Sequence, residues 1–277
     1  MSYRPELSNA TRPPTVAVAS VNEKGERLET PIAAEHPLTL YLDKRELVTL
    51  MTLGQWPEAL AIGYLRNQGL VRSLADIRSV QVDWEVDSCA VTTSASVQDL
   101  EERLAKRTVT TGCGQGTVFG NLMTEIDAIA LASERILTEE TYYRLMDNVR
   151  RYDTVYKAAG AVHGCALAKD EQILLFVEDV GRHNAVDAIA GRMWLDGIDG
   201  ADKNYYTTGR LTSEMVIKCA QMGIPFLVSR SGLTQMGYDI ARRVGITMVG
   251  RATGRHYLLF TGEQRFLRAA QTPVPAA

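Results

Sequence analysis

The chain has little of several things that mark protein classes. Four cysteines in 277 residues (Cys89, Cys113, Cys165 and Cys219) are too few for a disulfide scaffold. With 22 glycines and nine prolines, it is neither fibrous nor of low complexity. No stretch approaches the roughly 18 consecutive apolar residues of a membrane span. The opening MSYRPELSNATRPP lacks the apolar core of a secretory signal. A net charge of -3 offers no overall basic surface for nucleic acid. Together these absences predict a cytoplasmic protein with no membrane and no nucleic-acid partner. What is present is globular: 45% hydrophobic and 23% charged residues. At about 150 residues per domain, the length suits two domains.

The charge is unevenly spread. Residues 210–277 carry nine basic side chains and three acids, which makes that end +6 and leaves -9 for the rest. A basic end on an acidic chain can form a local anion site, or simply solvated helix faces.

Residues 1–14 and 270–277, rich in Pro, Ala and Thr, read as loose ends. In the first half, β-prone runs occupy 16–21, 38–42, 46–53 and 89–96. Strict alternation over 80–86 puts Val80, Val82, Trp84 and Val86 on one strand face. WPEALAIGYLRNQG predicts a helix, with Pro57 in its first turn and Gly69 as its stop. LEERLAKR (100–107) predicts another. In the second half, LTEETYYRLMDNVRRY is a helix with acids in its first turn, and ILLFVED (173–179) a continuous apolar strand. GRHNAVDAIAGRMW follows as a helix, with Val186, Ile189, Ala190, Met193 and Trp194 on one face. Then come NYYTTG (strand), LTSEMVIKCAQMG (helix, capped by Thr212), IPFLVS (strand), QMGYDIARRVG (helix), ITMVG and HYLLF (strands). The alternation predicts an α/β fold with a mostly parallel sheet covered on both faces. Ligands of such sheets sit beyond the carboxyl ends of strands. Four segments fall there: 178–183, 208–210, 229–231 and 251–255.

Cys113 lies in Thr-Gly-Cys-Gly-Gln-Gly-Thr, a glycine-rich turn. Lys106 and Arg107, nearby in sequence, could favour its thiolate. It reads either as a nucleophile or sulfur carrier, or as an incidental loop cysteine. Cys89, Cys165 and Cys219 lie in apolar runs and read as buried. Glu178, Asp179, Arg182 and His183 join a strand to a helix; they suit a polar pocket, or capping by Asp179 beside a surface histidine. Thr208-Gly209-Arg210 and Ser229-Arg230-Ser231 place hydroxyls, amides and arginines at strand-to-helix turns. Such turns suit phosphate, though ordinary helix capping would use the same residues. Arg251-Ala252-Thr253-Gly254-Arg255 suits a phosphate or a purine edge, or a solvated hairpin. His163 and Cys165 stand two apart without the partners that would complete a metal set, so no metal site is predicted.

These segments together resemble the FdhD family, the accessory sulfurtransferases of formate dehydrogenase. The resemblance spans roughly residues 35–268. It is carried by AIGYLRNQGL, TGCGQG, EDVGRHNAVDAIAG, GRLTSEMVIKCAQMGIPFLVSRS and GITMVGRATGR, in that order. It implies a cytidine deaminase-like three-layer domain (135–277) that binds cofactor. It also implies a smaller N-terminal α+β domain (1–134) ending in the Cys113 loop, and a homodimer. It implies a sulfur carrier that takes sulfur from a cysteine desulfurase as a Cys113 persulfide. The sulfur then passes to the metal of the molybdenum (or tungsten) bis-molybdopterin guanine dinucleotide cofactor, for the formate dehydrogenase catalytic subunit. That cofactor is cargo, and GDP is its natural surrogate. By the same resemblance Arg251, Ala252, Thr253, Gly254, Arg255 and His256 form the cofactor loop. Glu178, Asp179, Arg182, His183, Arg210, Ser229 and Ser231 line the rest of the site. The chain departs from the family in three places. Gly116 stands where a second loop cysteine is common, Arg251 where an aromatic is, and Asn67-Gln68 where Ser-Glu is. Gly116 keeps open a chaperone that binds and delivers the cofactor without sulfur transfer. An unrelated nucleotide-binding enzyme on a deaminase-like scaffold is a third reading.

Overall fold

The computed structural model describes residues 3–94, 126, 128–129, 131, 134–152 and 154–269, and the backbone of 108–109 and 116–117. The helix expected at 100–107 and the Cys113 turn lie outside the described residues.

The first sheet has five strands. β1 (Glu6–Leu7), β4 (His36–Leu42), β5 (Arg45–Thr52), β6 (Ile77–Asp83) and β7 (Ser88–Thr93) are arranged β1-β6-β7-β4-β5. β2 (Thr15–Val21) and β3 (Arg27–Ala33) form a separate antiparallel ribbon. Helix α1 (Pro57–Asn67) follows β5 and is buried along nearly its whole length. β8 (Thr108–Val109) and β9 (Gly116–Thr117) pair antiparallel.

The second sheet has six strands. Its members are β11 (His163–Lys169), β12 (Gln172–Asp179), β13 (Asn204–Thr207), β14 (Phe226–Ser229), β15 (Thr247–Thr253) and β16 (His256–Thr261), in the order β12-β11-β13-β14-β15-β16. Short β10 (Leu137–Thr138) and β17 (Phe266–Leu267) pair beside it. The helices are α2 (Glu139–Arg151), α3 (Val155–Ala159), α4 (Arg182–Leu195), α5 (Ser213–Gln221) and α6 (Gln235–Val244).

Successive residues on these strands face opposite sides, as the two-residue period requires. Cys165, Leu167, Tyr205, Leu227 and Met248 join the core cluster beneath α4, α5 and α6. Ala166, Ala168, Tyr206, Phe226, Val228 and Val249 join the cluster beneath α2. Helices therefore cover both faces, and the fold is mixed helix and sheet. The sheet is less parallel than expected. Only β13-β14 and β14-β15 pair parallel, while β11-β12, β11-β13 and β15-β16 are antiparallel. The reason is the hairpin β11–β12, whose first strand, HGCALAK, escaped the sequence reading among alanines. Since β12 and β13 both run against β11, β12, β13, β14 and β15 still share one direction. Their carboxyl ends share one edge.

Other expectations are corrected. Residues 3–14 are not loose: Leu7 pairs with Val80, the Tyr3 hydroxyl donates to the Ile77 carbonyl, and Ser8 and the Ala10 amide donate to Glu58. β6 ends at Asp83, and Val86 is exposed in the turn, so the alternation outran the strand. α4 is buried on nearly all sides rather than on one face, because α1 crosses it. Thr212 precedes α5 but makes no capping hydrogen bond. No helix among the described residues is long and apolar enough to cross a membrane.

The α1–α4 crossing joins the two sheets. A Cβ on Gly63 would stand 1.7 Å from the Asp187 carbonyl oxygen, and one on Gly191 would stand 1.9 Å from that of Ala59. The backbones touch because both positions lack a side chain. Around the contact the core cluster is continuous, running from Leu38 and Tyr64 to Ile189 and Met215. A G191A substitution should force the helices apart and destabilise the protein by about 3 kcal/mol, read as a lowered urea midpoint.

Candidate functional site

At the shared strand edge the turns are laced together through their backbones. The Arg230 amide donates to the Thr207 carbonyl (3.0 Å), and the Arg251 amide to the Ser231 carbonyl (2.8 Å). Ser229 Oγ donates to the Gly209 carbonyl (2.7 Å) and accepts from the Ser231 amide (2.9 Å). Arg210, Arg251, Thr253, Arg255 and His256 are exposed, whereas Ala252 is fully buried. Gly254 has left-handed backbone (φ 63°) in the β15–β16 hairpin turn, and Arg251 (φ 52°) has it at the register irregularity of β15. The Arg255 guanidinium lies over the Tyr143 ring at 4.9 Å. Tyr143 and Tyr257 hydroxyls both donate to Glu139 Oε1, which fixes the hairpin to α2.

The two expected carboxylates are turned inward. Glu178 accepts from the Val155 and Tyr156 amides (2.6 and 3.0 Å) at the start of α3. Asp179 Oδ2 accepts from Thr52 Oγ1 (2.5 Å) and the Leu53 amide (3.3 Å). Its Oδ1 accepts from Asn184 Nδ2 (3.0 Å) and the Gly181 amide (3.3 Å). Asp179 thus ties β5 to the start of α4, and burial pushes its pKa up to about 6 against those donors. Arg182 is buried, its stem laid over Gly209, where a Cβ would stand 2.7 Å from Arg182 Cδ. His183 is also buried, not a surface histidine. Its Nε2 is 3.5 Å from Glu214 Oε2, and its Nδ1 has no hydrogen-bond partner among the described residues. Burial and then the Lys218 ammonium push its pKa well down, so it is neutral at pH 7.

Behind His183 lies a buried ion cluster. Asp187 Oδ2 is 2.8 Å from Lys218 Nζ, and Asn67 Nδ2 donates to Asp187 Oδ1 at 2.7 Å. Glu214 Oε1 is 3.6 Å from the same Nζ. The cluster spans α1, α4 and α5.

His163, weighed above only as a metal ligand, is a further residue of this edge. It begins β11, opposite Asp179 in register, with Nδ1 3.2 Å from Thr208 Oγ1. Burial, then Arg182 and Arg210, push its pKa down. Cys165, weighed with it as a ligand, faces the core instead, 3.2 Å from Thr207 Oγ1. Cys89, Cys165 and Cys219 are all buried, as expected, and burial raises each thiol pKa, that of Cys165 to about 11. Cys113 lies in sequence between β8 and β9, outside the described residues.

An FdhD/NarQ family model matches residues 33–267. The chain belongs to the FdhD/NarQ family. It is 31% identical to the Listeria monocytogenes protein named sulfur carrier protein FdhD, over 87% of this chain and 93% of that one. It is 29% identical to the Bacillus subtilis protein of the same name, covering 88% and 94%. Among solved structures it is similar to a formate dehydrogenase accessory protein from Desulfotalea psychrophila. The TM-score is 0.73 and the identity 26%, over 92% of this chain and all of that one. Within this family member, Arg210, Arg230, Arg251 and Arg255 stand exposed along one edge, where Glu178 and Asp179 are already engaged by the protein.

Two outcomes follow from the buried charges. In K218M, Asp187 and Glu214 lose their shared cation, so unfolding should cost about 3–5 kcal/mol less; adding D187N should recover part of that loss in urea titrations. For Asp179 the folded pKa (about 6) lies above its ordinary 3.8. Its contribution to stability is therefore full below about pH 4 and lost as pH rises through about 6. D179N should flatten that stretch of the stability–pH curve.

Proposed function

We propose that this chain is a sulfur carrier required for formate dehydrogenase activity, acting as a sulfurtransferase through a Cys113 persulfide. Cys113 thiolate attacks the terminal sulfur of a cysteine desulfurase persulfide. The donor's S–S bond breaks, a new one forms on Cys113, and the donor cysteine leaves as thiolate. Delivery to the cargo, the bis-molybdopterin guanine dinucleotide cofactor, would break the Cys113 S–S bond and release Cys113 as thiolate, with the two electrons that take the terminal sulfur to sulfide supplied by the reduced molybdenum (or tungsten) that receives it. The reading includes a homodimer in the cytoplasm, and a cytidine deaminase-like domain at 135–277 behind a smaller N-terminal one at 1–134.

The observation that carries the reading is the single edge formed by 178–183, 208–210, 229–231 and 251–256. Arg210, Arg251 and Arg255 stand open there, above turns whose hydroxyls and amides are held in place. Guanidinium forks and turn amides match pyrophosphate oxygens and the carbonyl edge of guanine. Glu178 and Asp179, expected to line the site, support it from behind by fixing α3 and β5. The names of the Listeria and Bacillus relatives agree with the sulfur-carrier part.

Gly116 favours one alternative, delivery of the cofactor without sulfur transfer, since no second loop thiol is available to resolve a persulfide. Intact-mass analysis after incubation with a cysteine desulfurase and cysteine separates the two. The wild-type chain should gain about 32 Da, one sulfur atom, and C113A should not, nor should it restore formate dehydrogenase in cells lacking this chain. A C113A protein that still binds GDP and restores that activity would establish delivery instead.

A further inference from the structure

The +6 end of the chain is only partly absorbed by the strand-end site. Arg210, Arg230, Arg251 and Arg255 lie in the turns at that edge, and Lys218 is in the buried cluster. Arg242, Arg243, Arg265 and Arg268 are elsewhere. Arg242, Arg265 and Arg268 line a cleft of about 620 Å³ between α6 and β16, which also takes in Gly245 and Ile246 at the start of β15. The cleft runs along β16 from Tyr257, beside the hairpin, to Arg265 and Arg268 beyond its far end, and none of Arg210, Arg251, Arg255 and His256 lines it.

Three features describe what the cleft can hold. First, one wall is β16, the last strand of the six-stranded sheet, which pairs only with β15 among the described residues. An edge strand presents unpaired backbone donors and acceptors to an incoming extended chain. Second, the wall is apolar as well as open: Leu258 is 39% exposed, and Phe260 and Tyr238 are half-buried. Third, the rim is cationic. Arg242 is exposed and packs on the Tyr238 ring at 5.8 Å. Arg268 is exposed, and its partner Glu263 is a surface pair easily exchanged for another carboxylate. Deeper in, Arg265 is only 8% exposed. It donates to the Leu131 and Gly245 carbonyls, and its Nε has no hydrogen-bond partner among the described residues.

We propose that this cleft is a docking groove for an extended, acidic peptide segment of a partner protein, which adds a strand to β16 and sets its carboxylates against Arg242 and Arg268. Charge favours this occupant over a second copy of the chain. Two β16 edges paired about a two-fold axis would bring like arginine rims together. A strand-like acidic segment meets the edge with main-chain hydrogen bonds and the rim with opposite charge.

The test uses the full chain and a fluorescein-labelled peptide of alternating glutamate and valine. Its anisotropy should rise with saturation, and the alternating lysine–valine peptide should give no rise. R242E and R268E together should weaken binding at least about tenfold, and added salt should weaken it further. L258R, which puts charge and bulk on the strand face, should weaken it with the rim intact. GDP should not compete, because none of the cofactor-loop residues 251–256 lines the cleft. Three results would overturn the inference: equal binding of both peptides, acidic-peptide binding unchanged in R242E/R268E, or a self-association that L258R abolishes and the peptide cannot displace. Circular dichroism of each variant distinguishes lost docking from lost folding, and R243E, outside the cleft, serves as the control for general charge.

Discussion

Two helices that touch backbone to backbone carry the rest of this molecule. Gly63 on α1 and Gly191 on α4 leave no room for a Cβ, and the contact joins the five-stranded sheet to the six-stranded one. Close approach alone would not fix the rotation of the helices. The Asn67–Asp187–Lys218 chain does so, since the Asn67 amide and the Lys218 ammonium must both reach one carboxylate. Buried ions of this kind add little net stability but penalise every arrangement that leaves one unpaired. His183 and Arg182 open the same helix α4. The register of the crossing therefore sets where the strand-end edge meets the N-terminal sheet.

Asp179 extends that logic to the site itself. Its carboxylate collects Thr52 and Leu53 from β5 and its flank, and Gly181 and Asn184 from the start of α4. Glu178, one residue earlier, points to the other side and holds α3. Neighbouring acids on one strand thus brace two different elements, as the pleat dictates. The edge is left with arginines, amides and a neutral imidazole at His163. Such an edge is suited to anions without competing carboxylates.

Much of this was legible in the sequence. The amphipathic and apolar periods located α1, α2, α4, α5, α6 and most strands, and the order of strand-end motifs pointed to one edge. Burial of Cys89, Cys165 and Cys219 followed from their apolar neighbourhoods. What failed did so for physical reasons. HGCALAK is small and has no β-branched residue, so β11 gave little signal, and with it went the antiparallel hairpin and the place of His163 at the edge. Val86 continued an alternation past the point where the strand turned. Thr212 has a capping side chain at a capping position, yet its Oγ1 makes no hydrogen bond. Glu178 and Asp179 look like pocket acids in a string of letters. Only the fold shows their oxygens spent on a hydroxyl and amides of Thr52, Leu53, Val155 and Tyr156.

The sealed thiols have a practical consequence. Cys89, Cys165 and Cys219 are buried and held in their protonated, unreactive form. In the native fold these three thiols are closed to electrophiles. A maleimide dye that comes to label Cys89, Cys165 or Cys219 would itself report the core coming open.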